Sequence, residues 1–320
     1  MWSITATACS SHALTTDTHC YTNSAEEKRA GRARNDDLLN LRDCRITEQN
    51  RYVRKPSRPL NRIKDSYMAS PPDTETTIDA DDVSRFDSQA EQWWDTNGPM
   101  KPLHLYTPVR LDYILTAARR TGLTNNQTAH NLPLNGCKAL DVGCGGGLLA
   151  EPLCRLGAEI TAIDASQGAI DSAKAHAKSQ GLSINYQNLP VETLANEAAM
   201  QAKFDLIYAS EIIEHVKNRH QFLQSLRTLL KPDGVIIFTT ISKTVPALLL
   251  AIVAAEFILK LVPRGTHQFE KFIRPEQLQR ECADAGILID DITGFIPTPQ
   301  GGFRLSSVTA MNYGAFGQLA

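Results

Sequence analysis

Two groups of residues in this 320-residue chain have types and spacings suited to chemistry. The first is Leu140-Asp141-Val142-Gly143-Cys144-Gly145-Gly146-Gly147, a loop dominated by glycine. Glycine lets the backbone take left-handed conformations and lets a ligand approach where a Cβ would stand. The nearest general pattern is the G-x-G-x-x-G dinucleotide fingerprint. Here Gly143, Gly145 and Gly146 read G-x-G-G, and the third fingerprint glycine falls on Leu148. A pyrophosphate needs the regular loop and a free helix N-terminus, so the departure points away from nicotinamide dinucleotides. The second group is Glu211, Glu214 and His215. Spacing of i, i+3 and i+4 puts all three on one face if a helical turn begins at Glu211. Two carboxylates favour Mg²⁺, and the imidazole nitrogen also admits Mn²⁺ or Zn²⁺.

Alternating strands and helices must position these groups. Short apolar runs predict strands at Lys138–Val142, Glu159–Asp164, Ile184–Leu189, Phe204–Ala209 and Val235–Thr240. Helical patterns fall between them at Leu148–Leu156, Gln167–Gln180 and Arg219–Leu230. Strands separated by helices imply βαβ units and a parallel sheet. Further strands are expected near Ile287–Thr293 and Ser307–Tyr313. Asp164 then ends the second strand about twenty residues past the loop, where a carboxylate can accept both ribose hydroxyls. S-adenosylmethionine and NAD share that adenosine half, so Asp164 alone does not separate them. An acid before G-x-G, as Asp141 is, has the form seen in methyltransferases. Upstream, Val83, Phe86, Ala90, Trp93 and Trp94 fall at helical spacing before Gly98-Pro99, and a second helix is expected over Pro108–Arg119.

Composition narrows the class. The net charge of −2 gives no reason to expect nucleic acid as a partner. Charge is uneven, because twelve Lys and Arg stand against four Asp and Glu between Lys28 and Lys64. Residues 1–78 therefore read as a leader, Arg-rich and Ser-rich like a mitochondrial transit peptide, although Asp17, Glu26 and Glu27 depart from that composition. The seven cysteines form no C-x-x-C pair, which implies neither a disulfide framework nor a structural zinc site. His176 and His220, on predicted helix faces, read as packing or solvated residues. A folded domain is expected over 79–320, with a helical cap over 79–125 and an apolar insertion over 242–275. In that insertion Val245–Val262 is almost wholly apolar but short of the ~20 clean residues needed to span a bilayer, so it reads as a buried helix pair or a membrane-contacting segment.

The segment from Ala139 to Glu151 resembles motif I of the ubiquinone-biosynthesis O-methyltransferases. So do Phe86 to Trp94, Lys101-Pro102-Leu103-His104, Pro108 to Ile114, Glu211 to Val216, Val262-Pro263-Arg264-Gly265-Thr266-His267, Lys271 to Pro275 and Val308 to Tyr313. The resemblance implies a Rossmann-like α/β class I S-adenosylmethionine-dependent methyltransferase with a mostly parallel central sheet flanked by helices. It carries cofactor contacts onto Arg110, Gly143, Asp164 and Ser210, beside Asp141 and Gly145 of the loop. Val191 and Glu192 follow the third strand, where this fold meets adenine. A divalent metal is implied at Glu211, Glu214 and His215, the set that would also carry catalysis. A cation holding both oxygens of a catechol would lower the hydroxyl pKa, and a carboxylate or His215 would take the proton. The implied substrates are polyprenyl phenols, dihydroxybenzoate or demethylubiquinol. The implied setting is peripheral, on the matrix side of the mitochondrial inner membrane, with other ubiquinone-biosynthesis proteins. A nicotinamide oxidoreductase, a metal-independent small-molecule methyltransferase and a non-catalytic scaffold of a lipid-synthesis complex are the alternatives.

Overall fold

Strand β1 (Lys138–Val142) can only be central, because every residue after Lys138 is buried. In the computed structural model of the protein, the described residues are 76–124, 132–244 and 271–320. Residues 1–75 of the expected leader and the apolar Val245–Val262 segment lie outside them. On one side β1 pairs in parallel with β2 (Glu159–Asp164), which pairs with β3 (Asn185–Asn188). On the other side it pairs with β4 (Phe204–Ser210), followed by β5 (Leu230–Ile241), again in parallel. The sheet continues antiparallel through β8 (Asn312–Leu319), β6 (Ile287–Pro297) and β7 (Phe303–Ser306), giving the order β3-β2-β1-β4-β5-β8-β6-β7. Chain order reverses between β1 and β4. In open α/β sheets that switch point opens a crevice at the carboxyl ends of the strands.

Near-continuous apolar strands such as β4 require cover on both faces. One face packs against α2 (Lys101–Arg120), α3 (Ala150–Arg155) and α4 (Gln167–Ser179), where Tyr113, Leu153 and Ala173 share a core with Leu206 and Ile237. The other packs against α5 (Val191–Asn196), α6 (Arg219–Leu229) and α7 (Pro275–Asp284), through Leu194, Leu226 and Leu278 against Ile207 and Ile236. Ser166 caps α4 by accepting from the Ala169 N–H, and Asn218 caps α6 by accepting from Gln221. Such caps satisfy backbone donors that a helix start leaves unpaired.

The two N-terminal helices differ from expectation. Val83 to Trp94 is not one helix: α1 covers Ala80–Asp87, a single 3₁₀ turn covers Ala90–Gln92, and the tryptophans follow it. The second helix starts at Lys101, with Pro102 in its first turn, and carries Pro108 inside it. Pro108 forfeits one backbone bond and read in sequence as a start. At the other end, residues 307–311 of the expected strand Ser307–Tyr313 form a connection, and β8 begins only at Asn312. Helices α5 and α7 had no counterpart in the sequence reading.

Because Leu226 is fully buried between α6 and the sheet, Leu226→Ala should destabilise the protein by about 2–5 kcal/mol. Urea unfolding measures this, and a loss below about 1 kcal/mol would contradict this packing.

Candidate active site

A cavity of about 490 Å³ opens at the switch point. One wall is the glycine loop after β1. Gly145 has φ +52°, and a Cβ there would stand 2.3 Å from the Trp93 ring; Gly143 has φ +72°, and a Cβ would meet Ile212 at 2.7 Å. Both positions therefore need glycine on backbone and steric grounds. Asp164, at the end of β2, locks the loop. Its Oδ2 accepts from the Gly145 N–H and its Oδ1 from the Ser166 N–H, each at 2.8 Å. A carboxylate has about four lone-pair sites, so these bonds leave capacity to accept from a ribose hydroxyl. Asp141 is buried behind the loop, and burial raises its carboxyl to about 8. Burial also raises Asp164.

The N-terminal segment holds the loop from above. Trp94 donates its indole N–H to the Gly146 carbonyl at 3.0 Å and stacks on His176 with ring centroids 3.4 Å apart. His176 Nδ1 lies 2.6 Å from the buried Glu151. Read in sequence as a packing or solvated residue, His176 does pack, but as a platform for a tryptophan. Asp87 accepts from the Gly168 N–H and the Ser166 hydroxyl, pinning the segment to the start of α4.

Arg110 reaches the cavity from α2 and is 4% exposed. It donates from Nη1 to Ser210 Oγ at 3.0 Å, and from Nη2 to the Leu103 carbonyl and Thr107 Oγ1. Two residues singled out separately in the sequence thus bond each other. Ser210 also shares a 2.7 Å hydrogen bond with Thr239.

The acidic end differs from the helical turn expected. Glu211 has φ +56°, and its N–H donates to the Thr239 carbonyl at 2.8 Å. A left-handed non-glycine residue costs about 1–3 kcal/mol and signals a constraint at the site. The helical turn is 3₁₀ and starts later, at Ile213–His215. Thr239 donates to Glu211 Oε1 and Thr240 to Glu214 Oε2, both at 2.8 Å. Burial and the charge of Glu214 push Glu211 up to about 7, and burial also raises Glu214. His215 turns its Nδ1 to the buried Asp82 of α1 at 2.9 Å, and Asp82 also accepts from Lys271 Nζ at 2.8 Å. Burial pulls the imidazole down, but the Asp82 hydrogen bond and the charges of Glu214 and Asp82 outweigh it, so His215 is raised overall.

Comparison with known proteins gives the family. The methyltransferase domain family matches residues 140–238. The chain is 42% identical to the ubiquinone biosynthesis O-methyltransferase of Chelativorans sp. (strain BNC1) over 231 residues, covering 70% of this chain and 87% of that protein. It is 41% identical to the enzyme of the same name from Actinobacillus pleuropneumoniae, covering 74% of this chain and 97% of that protein. The chain belongs to the ubiquinone biosynthesis O-methyltransferase family. It is an S-adenosylmethionine-dependent O-methyltransferase. A solved magnesium protoporphyrin IX methyltransferase from Synechocystis PCC 6803 is similar at TM-score 0.48 and 16% identity, covering 77% of this chain and 100% of that one.

Of the residues singled out in sequence, Arg110, Asp141, Gly143, Gly145, Asp164, Val191, Ser210, Glu211, Glu214 and His215 all line this cavity. Glu192 does not: its carboxylate accepts from the Thr77 N–H and hydroxyl, holding the chain before α1 against the first turn of α5. The three metal candidates line one cavity, yet among the described residues no group of three such side chains is arranged to hold an ion. The left-handed Glu211 and the His215–Asp82 bond account for the difference from the one-face expectation. Sequence reasoning missed Asp82 and Lys271. No local pattern links either residue to His215.

Glu211 sits at about 7 against an ordinary 4.5, so its favourable contribution is complete below 4.5 and is lost as pH rises through 7. Without cofactor or metal, the urea midpoint should therefore fall between pH 5 and pH 8. Glu211→Gln should flatten part of that slope and be relatively most stabilising at pH 8. An unchanged slope in the variant would contradict this placement of Glu211.

Proposed function

We propose that the enzyme methylates a hydroxyl of polyprenyl catechols in ubiquinone biosynthesis, polyprenyl dihydroxybenzoate and demethylubiquinol. The observation that carries this reading is the single cavity lined both by the glycine loop with Asp164 and by Glu211, Glu214 and His215. A nucleoside held at one wall and a diol held at the other would meet within it. The loop fits the nucleoside, with its glycine cradle and with Asp141 Oδ2 buried and unpartnered behind it.

Bound S-adenosylmethionine supplies a sulfonium methyl that an aryl oxygen attacks in line, the oxygen–carbon bond forming as the carbon–sulfur bond breaks. Asp164 holds the ribose, and the buried Arg110 offers positive charge to the amino-acid carboxylate. Rate comes mainly from placing the two reactants together. The phenolic proton goes to a carboxylate or to His215, whichever lies within hydrogen-bond reach of the bound hydroxyl. A divalent cation, Mg²⁺ or else Mn²⁺ or Zn²⁺, at Glu211, Glu214 and His215 would lower the catechol pKa and fix its orientation. The donor chemistry supports it, since a buried and a half-buried carboxylate, each raising the other's cost of ionisation, favour a cation beside them.

The insoluble substrate tail and the Arg-rich start of the chain support a peripheral position on the matrix side of the mitochondrial inner membrane, alongside other ubiquinone-biosynthesis proteins. Among the described residues no helix is long and apolar enough to cross a membrane.

Methyl transfer to a short-chain polyprenyl dihydroxybenzoate, with Mg²⁺ and with chelator, tests the reading. Activity should fall by about 100-fold or more in chelator and in Glu211→Ala, with nucleoside binding retained. Full activity in chelator would remove the metal, and no transfer to the catechol under any condition would remove the substrate.

A further inference from the structure

We propose that the polyprenyl tail leaves the cavity between the first turns of α2 and the β6–β7 hairpin, with Leu105 and Pro297 as the two lips of the opening. This rests on the substrate class proposed above and adds the route and the residues that select for a tail.

The first reason is volume. Pockets that hold one drug-sized ligand span about 300–1,000 Å³. This one is about 490 Å³ and must take both the cofactor and the reacting ring. A chain of isoprene units has to pass out of it.

The second reason is where the cavity meets solvent. Of the residues lining it, Leu105 and Pro297 are the two that stand exposed, and Leu105 is 44% exposed. Leu105 is also one of few large hydrophobic side chains left open to water among the described residues. An opening whose exposed lining is wholly apolar suits a hydrocarbon and does not suit a charged cofactor tail.

The third reason is continuity. Behind the lips, the Tyr106 and Phe303 rings meet edge to face with centroids 4.8 Å apart, one from α2 and one from the hairpin. Pro297 and Phe303 face each other across the β6–β7 pair, and a Cβ at Gly302 in its turn would stand 3.7 Å from the Leu105 carbonyl oxygen. Helix and hairpin therefore abut at the opening. Leu105 also precedes Arg110 by five residues, about 7.5 Å along the helix axis, so the opening lies close to the polar end.

The test compares kcat/KM for a dihydroxybenzoate bearing several isoprene units with that for dihydroxybenzoate lacking a tail, in wild type, Leu105→Glu and Pro297→Glu. In each variant the ratio of tailed to tail-less kcat/KM should fall roughly tenfold, as when about two methylene groups lose apolar contact. Calorimetric titration with S-adenosylhomocysteine identifies folded variants, and each substitution stands in for the other should one not fold. An equal loss on both substrates, or loss of nucleoside affinity in both variants, would overturn the route. A wild type that turns over neither substrate would instead overturn the functional reading beneath it.

Discussion

Asp164 joins the end of β2 to the loop after β1 by accepting from the Gly145 N–H, and to the start of α4 by accepting from the Ser166 N–H. Charge-assisted bonds of this kind are roughly twice as strong as neutral ones, and here they fix a loop whose glycines would otherwise sample many conformations. Three elements depend on that carboxylate. The loop keeps its left-handed turns, the start of α4 is set through Ser166, and the N-terminal segment docks on the same helix start through Asp87. The tryptophans then close over a loop already in place. A ribose arriving at Asp164 meets a group whose position is already determined, so little ordering remains to oppose binding.

The polar end of the cavity faces the opposite problem. Glu211, Glu214 and Asp141 are carboxylates removed from water, and burial disfavours their charged forms. Arg110 supplies opposing charge from within the same wall, and threonine hydroxyls on β5 donate to both glutamates. Asp82 is balanced differently: its hydrogen bond with His215 and the Lys271 ammonium hold it well below the ordinary carboxylate range. Asp82, on α1, is held ionised by its partners while Asp141, Glu211 and Glu214 are raised, which separates the structural acid from the candidate acids and bases.

Much of the fold was legible in the sequence because the parallel strands are short, apolar and separated by regular helices. The ends of β1 and β2 match the expected runs residue for residue, and Asp141 and Asp164 follow from that register. What escaped depends on contacts between distant parts of the chain. Trp93 and Trp94 gave a helical period but work as a cover on glycine, because a 3₁₀ turn and Gly98 bend the chain there. The Glu211-to-His215 spacing suggested one helical face, and a single left-handed residue broke it. Glu192 follows the third strand as expected, yet Thr76 and Thr77 claim its carboxylate from more than a hundred positions away. Asp82 carried no local signal, since its partner His215 lies 133 positions away.

Calorimetric titration of S-adenosylhomocysteine into the wild-type protein and into Asp164→Ala tests the role of the locked loop most directly. Wild type should bind, and the variant should bind about 100-fold more weakly or not at all while unfolding with the same cooperativity, since two charge-assisted bonds and the ribose contacts go together. Equal affinity in the two proteins, or none in the wild type, would contradict the placement of the nucleoside on this loop.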